Sequence, residues 1–327
     1  MLMSSAPAAT QSGATEQSLV GMRTLDGQVA TIGHRLAVAA ADLCREHEWL
    51  PGFSVHDLSQ YGEDYRAAAI RAFGLDRGPG VLALAAGGPA ERAGLRLDDI
   101  LLSADAAALD GGPGSGTRTF SRVERMLDLL DRAFADGVAE LELIRGTEQL
   151  RLQVRAETGC PTRFQLIPSP QLNARADGRY VQVTTAISQY VQDEQELAAV
   201  LAHEFAHNVL RHRERLDAAR VSRGFLANFG RNARLIRETE AEADRLSVYL
   251  LDRAGYDPEA AVRFWSRFGR RGLNFFGSPT HPNWRRRVAS FQAEIALIRE
   301  AHAAGRVPVP PVMAPERPAG ARAEPSG

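Results

Sequence analysis

Apolar residues recur along this chain at more than one period, and the changes of period divide it. From Gly27 to Glu46, Val29, Ile32, Leu36, Ala39 and Leu43 return at helical spacing, which predicts an amphipathic helix closed by Pro51-Gly52. Between Gly52 and Ala156 the texture shortens. Phe53 to Leu58 alternates weakly like a strand, helical spacing returns around Tyr65 to Phe73, and Gly78-Pro79-Gly80 leads into the apolar run Val81 to Leu84. Further on, Arg179 to Thr185 has a period of two and reads as a strand with one buried face. Helices are predicted from Glu196 to Arg213, from Leu235 to Ala254 with a stop at Gly255, after Asp257-Pro258 with Ala261, Phe264, Trp265 and Phe268 on the apolar face, and from Trp284 to His302. Beyond Gly305 lie six of the 17 prolines and no apolar periodicity, so that tail is predicted to be disordered.

Composition narrows the function classes. A chain of 327 residues can bury more than one core, and two domains are expected. The 39 basic residues, all arginine, balance 40 acidic ones, so no overall charge argues for a nucleic-acid partner. No run of eighteen apolar residues exists, and no ordinary membrane-spanning helix is expected. Met1 to Ser18 lacks a basic start and an apolar centre and does not read as an intact secretion signal. Cys44 and Cys160 are too few for a zinc site or a disulfide framework. Two buried free thiols are the expectation, with one bridge open to them in an oxidising compartment.

The candidate chemistry sits in His203-Glu204-Phe205-Ala206-His207. Histidines four apart on a helix stand one above the other, so both imidazoles can reach one metal ion. Glu204 is rotated off that pair and can accept a proton from a metal-bound water without being a ligand. Asp193 with Glu196 three residues later reads as a capping box that opens this helix. A zinc site needs a third protein ligand. Leu210 and Arg213 stand where a glycine and a third histidine would extend the motif, so that ligand must come from elsewhere. The next helix offers Glu238, Glu240, Glu242 and Asp244, among which residue chemistry does not choose.

Two resemblances add to this. Gly88-Pro89-Ala90, a short helix, Ala93-Gly94-Leu95 and Asp98-Asp99 before a strand resemble the PDZ domains of bacterial proteases, with Gly88 for the usual serine and Asp98 for the usual glycine. The likeness continues in a helix from Ser121 to Ala135 and a hairpin of Ala139 to Ile144 with Gln149 to Val154, turning at Arg145-Gly146-Thr147. It implies a peptide added beside an exposed edge that begins at Val81, where Pro79 has no N–H to offer a terminal carboxylate. The second set is His203-Glu204-x-x-His207 ending in His212, then Glu240-Ala241-Glu242-Ala243-Asp244, and later Thr280-His281-Pro282 with Arg287; Asn173-Ala174 before the strand also matches. It is similar to the HtpX and CAAX-prenyl-protease type of zinc metallopeptidase, over about residues 22–50 and 158–303. That resemblance implies Glu240 as third ligand, Asp244 as the residue orienting a ligand histidine, and His281 and Arg287 at the cleft.

Together these give an α+β expectation: a mainly helical zincin-type domain with a small sheet, interrupted by a PDZ-like β-rich domain. The expected divisions are a disordered 1–20, a helix of the peptidase domain in 21–51, the PDZ-like domain in 52–157, the catalytic domain in 158–303 and a disordered 304–327. The expected activity is zinc-dependent hydrolysis of peptide bonds in misfolded or envelope proteins, with one zinc per chain on His203, His207 and Glu240, and Glu204 as the base. His281 would plug the open zinc position or donate to the oxyanion, and Arg287 would hold substrate or a carboxylate. The strand from Arg179 would receive substrate backbone by edge pairing. The rival expectation is a non-proteolytic PDZ-bearing chaperone or adaptor; an intact Glu204 weighs against it. The resemblance favours the periplasm or cell envelope, and the missing signal points the other way.

Overall fold

In the computed structural model of the protein, residues 8–109, 118–221, 230–271 and 283–313 are described. The first helix, α1 (Ala8–Ala39), buries Val29, Ile32 and Leu36 as their spacing predicts, but its bounds differ from expectation. It ends at Ala39, where a 3₁₀ turn (Ala41–Leu43) leads into strand β1 (Glu48–Leu50). It also starts well before Gly27. The part of residues 1–20 from Ala8 onward, expected to be disordered, is helical, and Leu19 is buried beside Ala69 and Phe73. That anchor belongs to a distant stretch of chain, so local composition could not reveal it.

The chain then leaves the helical body through a neck. Strand β1 is followed by β2 (Phe53–His56), α2 (Glu63–Phe73), β3 (Gly80–Leu84), α3 (Pro89–Arg92), β4 (Ile100–Ala104), β5 (Ala107–Ala108), α4 (Ser121–Ala133), β6 (Val138–Arg145), β7 (Glu148–Arg155) and β8 (Glu157–Gly159). The last of these pairs back with β1, Glu48 opposite Gly159 and Leu50 opposite Glu157. Just beyond the ladder, Cys44 and Cys160 form a disulfide with Cα atoms 5.7 Å apart. The expected free thiols are thus corrected: residues 116 apart in sequence meet where the chain leaves and returns, within the range a disulfide spans.

Inside the neck one sheet runs in the order β2-β3-β4-β6-β7, with β5 on β4, over a core that includes Val55, Val81, Leu101, Leu130, Phe134, Leu141 and Val154. The β6–β7 hairpin turns at Gly146-Thr147, with Gly146 at a φ of 62° that favours glycine. The expected peptide edge at Val81 is corrected. Strand β3 has β2 on one side and β4 on the other, and Val81 is fully buried. Among the described residues the outer strands of this order are β2 and β7, and it is β2 (Phe53–His56) that covers Val81.

The remainder of the chain forms β9 (Arg163–Ile167), β10 (Ala174–Ala176), β11 (Tyr180–Thr184), α5 (Thr185–Tyr190), α6 (Glu194–Val209), α7 (His212–Ala218), α8 (Gly230–Arg253), α9 (Glu259–Arg270) and α10 (Trp284–Ala303). With α1 these surround a single apolar core that includes Ile32, Val183, Leu201, Phe205, Leu246, Phe264 and Phe291. Strand order in the small sheet is β10-β11-β9, so the strand from Arg179, expected to offer an edge, is central, and the outer strand is β10. The tail also departs from expectation before it passes outside the described residues. Pro311–Met313 make a 3₁₀ turn, and Val312 and Met313 pack against the main core. The fold is α+β, and among the described residues no helix is long and apolar enough to cross a membrane.

Candidate metal centre

Helix α6 begins where Asp193 accepts the Glu196 N–H at 2.8 Å. The reciprocal half of the expected capping box is displaced by one residue: the Glu196 carboxylate accepts from Gln192 N–H at 3.0 Å and also takes Arg267. Apolar neighbours enclose the helix on most sides, which buries His203 and Glu204 to 1% and 3% exposure. The turn between β10 and β11 is tied to the same helix by the Gly178 N–H, donated to Asn208 Oδ1 at 2.8 Å.

Helix α8 packs against α6 and brings Glu240 to both histidines. Its Oε2 lies 3.5 Å from His203 Nε2 and its Oε1 3.6 Å from His207 Nε2. Ligands about 2.0–2.1 Å from a tetrahedral ion stand about 3.3 Å apart, so these separations are close to those of a metal's coordination shell. His203 Nε2 is buried with no hydrogen-bond partner among the described residues, and the three donor atoms lie within 4.8 Å of one another. An unpaired buried nitrogen is costly, and a cation facing it removes that cost. The other acids of α8 are engaged elsewhere: Glu238 is exposed opposite Arg234 at 3.6 Å, Glu242 faces His212 and Arg215, and Asp244 faces Arg287 and the far side of His203.

Each histidine has a partner behind it. His203 Nδ1 is 3.1 Å from Asp244, whose carboxylate accepts from Arg287 Nε at 2.8 Å and Nη2 at 2.5 Å. Arg287 is 3% exposed and stacks 3.5 Å from the centre of the Trp265 ring, so the carboxylate it holds is the protein's own. His207 Nδ1 is 2.9 Å from His212 Nδ1, and His212 Nε2 is 3.0 Å from Glu242. The sequence motif places His212 only at its end and offers Glu242 only as one of four candidate ligands; the structure joins both to His207. Position 281 lies outside the described residues.

Electrostatics follow from this packing. Burial acts against a charge on His203, but Asp244 and Glu240 outweigh it and raise its pKa to about 9. Burial lowers His207 to about 3. Burial also raises the Glu204 carboxyl to about 7, opposed by the charge of His203 and by the Ala176 backbone amide. That amide belongs to the outer strand. Because Thr184 N–H donates to the Asn173 carbonyl and Asp177 N–H to the Tyr180 carbonyl, alternate residues of β10 face β11, and the backbone of Ala174 and Ala176 faces the open side.

Known proteins match the part of the chain that carries this site. The model of peptidase family M48 matches residues 145–233 and 225–295. The chain is 31% identical over 147 residues to the mitochondrial metalloendopeptidase OMA1 of Schizosaccharomyces pombe, covering 38% of this chain and 43% of that protein. It is 29% identical over 155 residues to the beta-barrel assembly-enhancing protease of Yersinia pestis (37% of this chain, 32% of that protein). To the protein of the same name in Escherichia coli K12 it is 30% identical over 133 residues (32% and 27%). The chain thus spans less than half the length of these relatives.

Proposed function

Since the chain belongs to peptidase family M48 through residues 145–295, we propose that it is a zinc-dependent endopeptidase whose ligands are His203, His207 and Glu240. The observation that carries this reading is the pair of Glu240 oxygens set opposite both Nε2 atoms, with His203 Nε2 otherwise unpartnered. Zinc, when bound there, supplies a Lewis acid and lowers the pKa of a water. Glu204 takes the proton of the attacking water and passes it to the leaving amine, a task suited to a carboxyl whose burial raises it to about 7. Asp244 and Arg287 hold His203 from behind and do not touch substrate. The substrate backbone lies along the outer side of β10, whose Ala174 N–H and C=O and Ala176 C=O face away from β11, while the Ala176 N–H is held by Glu204. His281 is assigned no part in this mechanism.

Residues 52–157 act in this reading as a PDZ-like module that binds peptide at the free edge of β2. Its support is a cavity of about 590 Å³ between β2 and α4, lined by Phe53, Val55, Val123 and Leu127, with β9 of the helical body as a further wall and none of the metal-site residues in its lining. Substrates are misfolded or envelope proteins, and the Cys44–Cys160 bridge suits an oxidising compartment.

The test is Glu204→Gln, which should keep one zinc per chain and the fold while casein cleavage falls by about 10²- to 10⁴-fold. Unchanged cleavage would reject the mechanism. For the module, Leu127→Arg at the cavity wall should raise KM for unfolded proteins and leave short peptides unaffected; equal kinetics on both would confine the module to a structural role.

A further inference from the structure

We propose that His212, backed by Glu242 and Arg215, is a positioning residue that fixes the His207 imidazole in the tautomer a metal requires; this rests on the metal reading above. Arg215 can only donate, and it lies 2.5 Å from Glu242. The Glu242 carboxylate, held by that guanidinium, can only accept, so the atom it faces at 3.0 Å, His212 Nε2, carries a hydrogen. With its proton there, neutral His212 presents a lone pair at Nδ1. That lone pair is 2.9 Å from His207 Nδ1, which must therefore be the donor. A neutral His207 protonated at Nδ1 has its free lone pair at Nε2, the atom 3.6 Å from Glu240. Donation thus converges on the Glu242 carboxylate, from the half-exposed Arg215 on one side and from His207 through His212 on the other, which leaves the His207 Nε2 lone pair at the metal position.

The backbone supports the relay. On an uninterrupted helix, a residue five places after His207 would lie about 140° around the axis and face away from it. Here α6 ends at Val209, Arg211 adopts a left-handed φ of 54°, and α7 starts at His212. A non-glycine residue is disfavoured in that region. The redirected helix brings His212 back over His207, with ring centres 4.8 Å apart and His212 only 2% exposed. His203 reaches its carboxylate directly through Asp244, whereas His207 reaches Glu242 through one intervening imidazole.

The experiment uses the full chain, with zinc alone as the probe. Zinc affinity is measured by chelator competition, and the melting of the metal-free forms is recorded alongside. His212→Leu removes the acceptor and should weaken zinc binding by about 10- to 100-fold. His212→Asn, whose Oδ1 can stand in the place of Nδ1, should recover most of that loss. A Leu variant with wild-type affinity overturns the relay, as do equal losses in Leu and Asn that track a lowered melting temperature. Should the Leu variant not fold, Glu242→Ala and Arg215→Ala test the outer links. A loss of several-fold supports the relay, and unchanged affinity in both overturns it. A wild-type chain that binds no zinc removes the metal reading itself, which separates that failure from a failure of the relay.

Discussion

Two buried histidines, one in each half of the molecule, show what separates a packed side chain from a ligand. His56 at the end of β2 and His203 in α6 are each 1% exposed, and each has an Nε2 without a hydrogen-bond partner among the described residues. His56 donates to or accepts from Tyr61 at 2.8 Å through Nδ1 and packs 5.0 Å from the Phe73 ring, and burial together with Arg23 lowers its pKa to about 3. Its neighbour Asp57 is turned away, accepting from Ser59 N–H and from Arg122 at 3.0 Å. His203 has Asp244 behind it and Glu240 in front, and these raise its pKa to about 9 against the effect of burial. An orphan nitrogen alone is therefore a cost of packing. It becomes a site when a second imidazole and a carboxylate converge on the same point.

Substitutions can break this contrast. His203→Ala should abolish stoichiometric zinc, raising the dissociation constant by a thousandfold or more, since a three-ligand site loses one donor; retention of one tight zinc in metal analysis would undo the comparison. Asp244→Ala removes the support behind His203 and strands Arg287, so zinc affinity should fall about 10- to 100-fold and stability by about 3–5 kcal/mol in urea unfolding. His56→Ala should leave zinc content and affinity untouched while costing about 2 kcal/mol, the signature of a packing residue. Loss of zinc in that variant would show that the two halves are coupled.

The smallest effect extends the contrast to an acid. Asp26, on the α1 wall of the cavity, has a carboxyl that burial raises to about 7. A folded-state pKa above the unfolded value of 3.8 favours the fold below pH 3.8, and that contribution is lost as pH rises through about 7. Asp26→Asn should therefore raise the melting temperature at pH 8 and leave it nearly unchanged at pH 4. The gain is about 1 kcal/mol, well below the full shift because the side chain still meets cavity water. An equal change at both values would trace the effect to packing.

The parts of this fold legible in the sequence are those that depend on neighbours along the chain. The spacing of four between His203 and His207 and the apolar stripes of α9 and α10 are such features, and the helix bearing Glu240 follows from its own periodicity. Choosing Glu240 over Glu242 needed a family resemblance, because two acids two residues apart differ only in what their helix faces. Non-local pairings were hidden. That β2 covers Val81, that β10 and not β11 is the outer strand, and that Leu19, Val312 and Met313 find apolar partners all depend on chain brought from elsewhere. His212 was hidden differently: its approach to His207 depends on the left-handed conformation of Arg211, a residue type that gives no hint of it.

The Cys44–Cys160 bridge makes the intervening segment a covalent ring with one covalent junction to the helical body, beside which α1 packs on α2 and β3. For the chain on either side, Cys44 and Cys160 are then effectively adjacent, so α1 meets α6 and α8 across a short contour in place of one more than a hundred residues longer. Continuity of the helical body does not pass through the ring. A single backbone cut anywhere between the two cysteines leaves one molecule, with α1 still tethered to the metal helices, and only reduction separates the pieces. A cut within the inserted unit therefore leaves α1 and the metal helices connected.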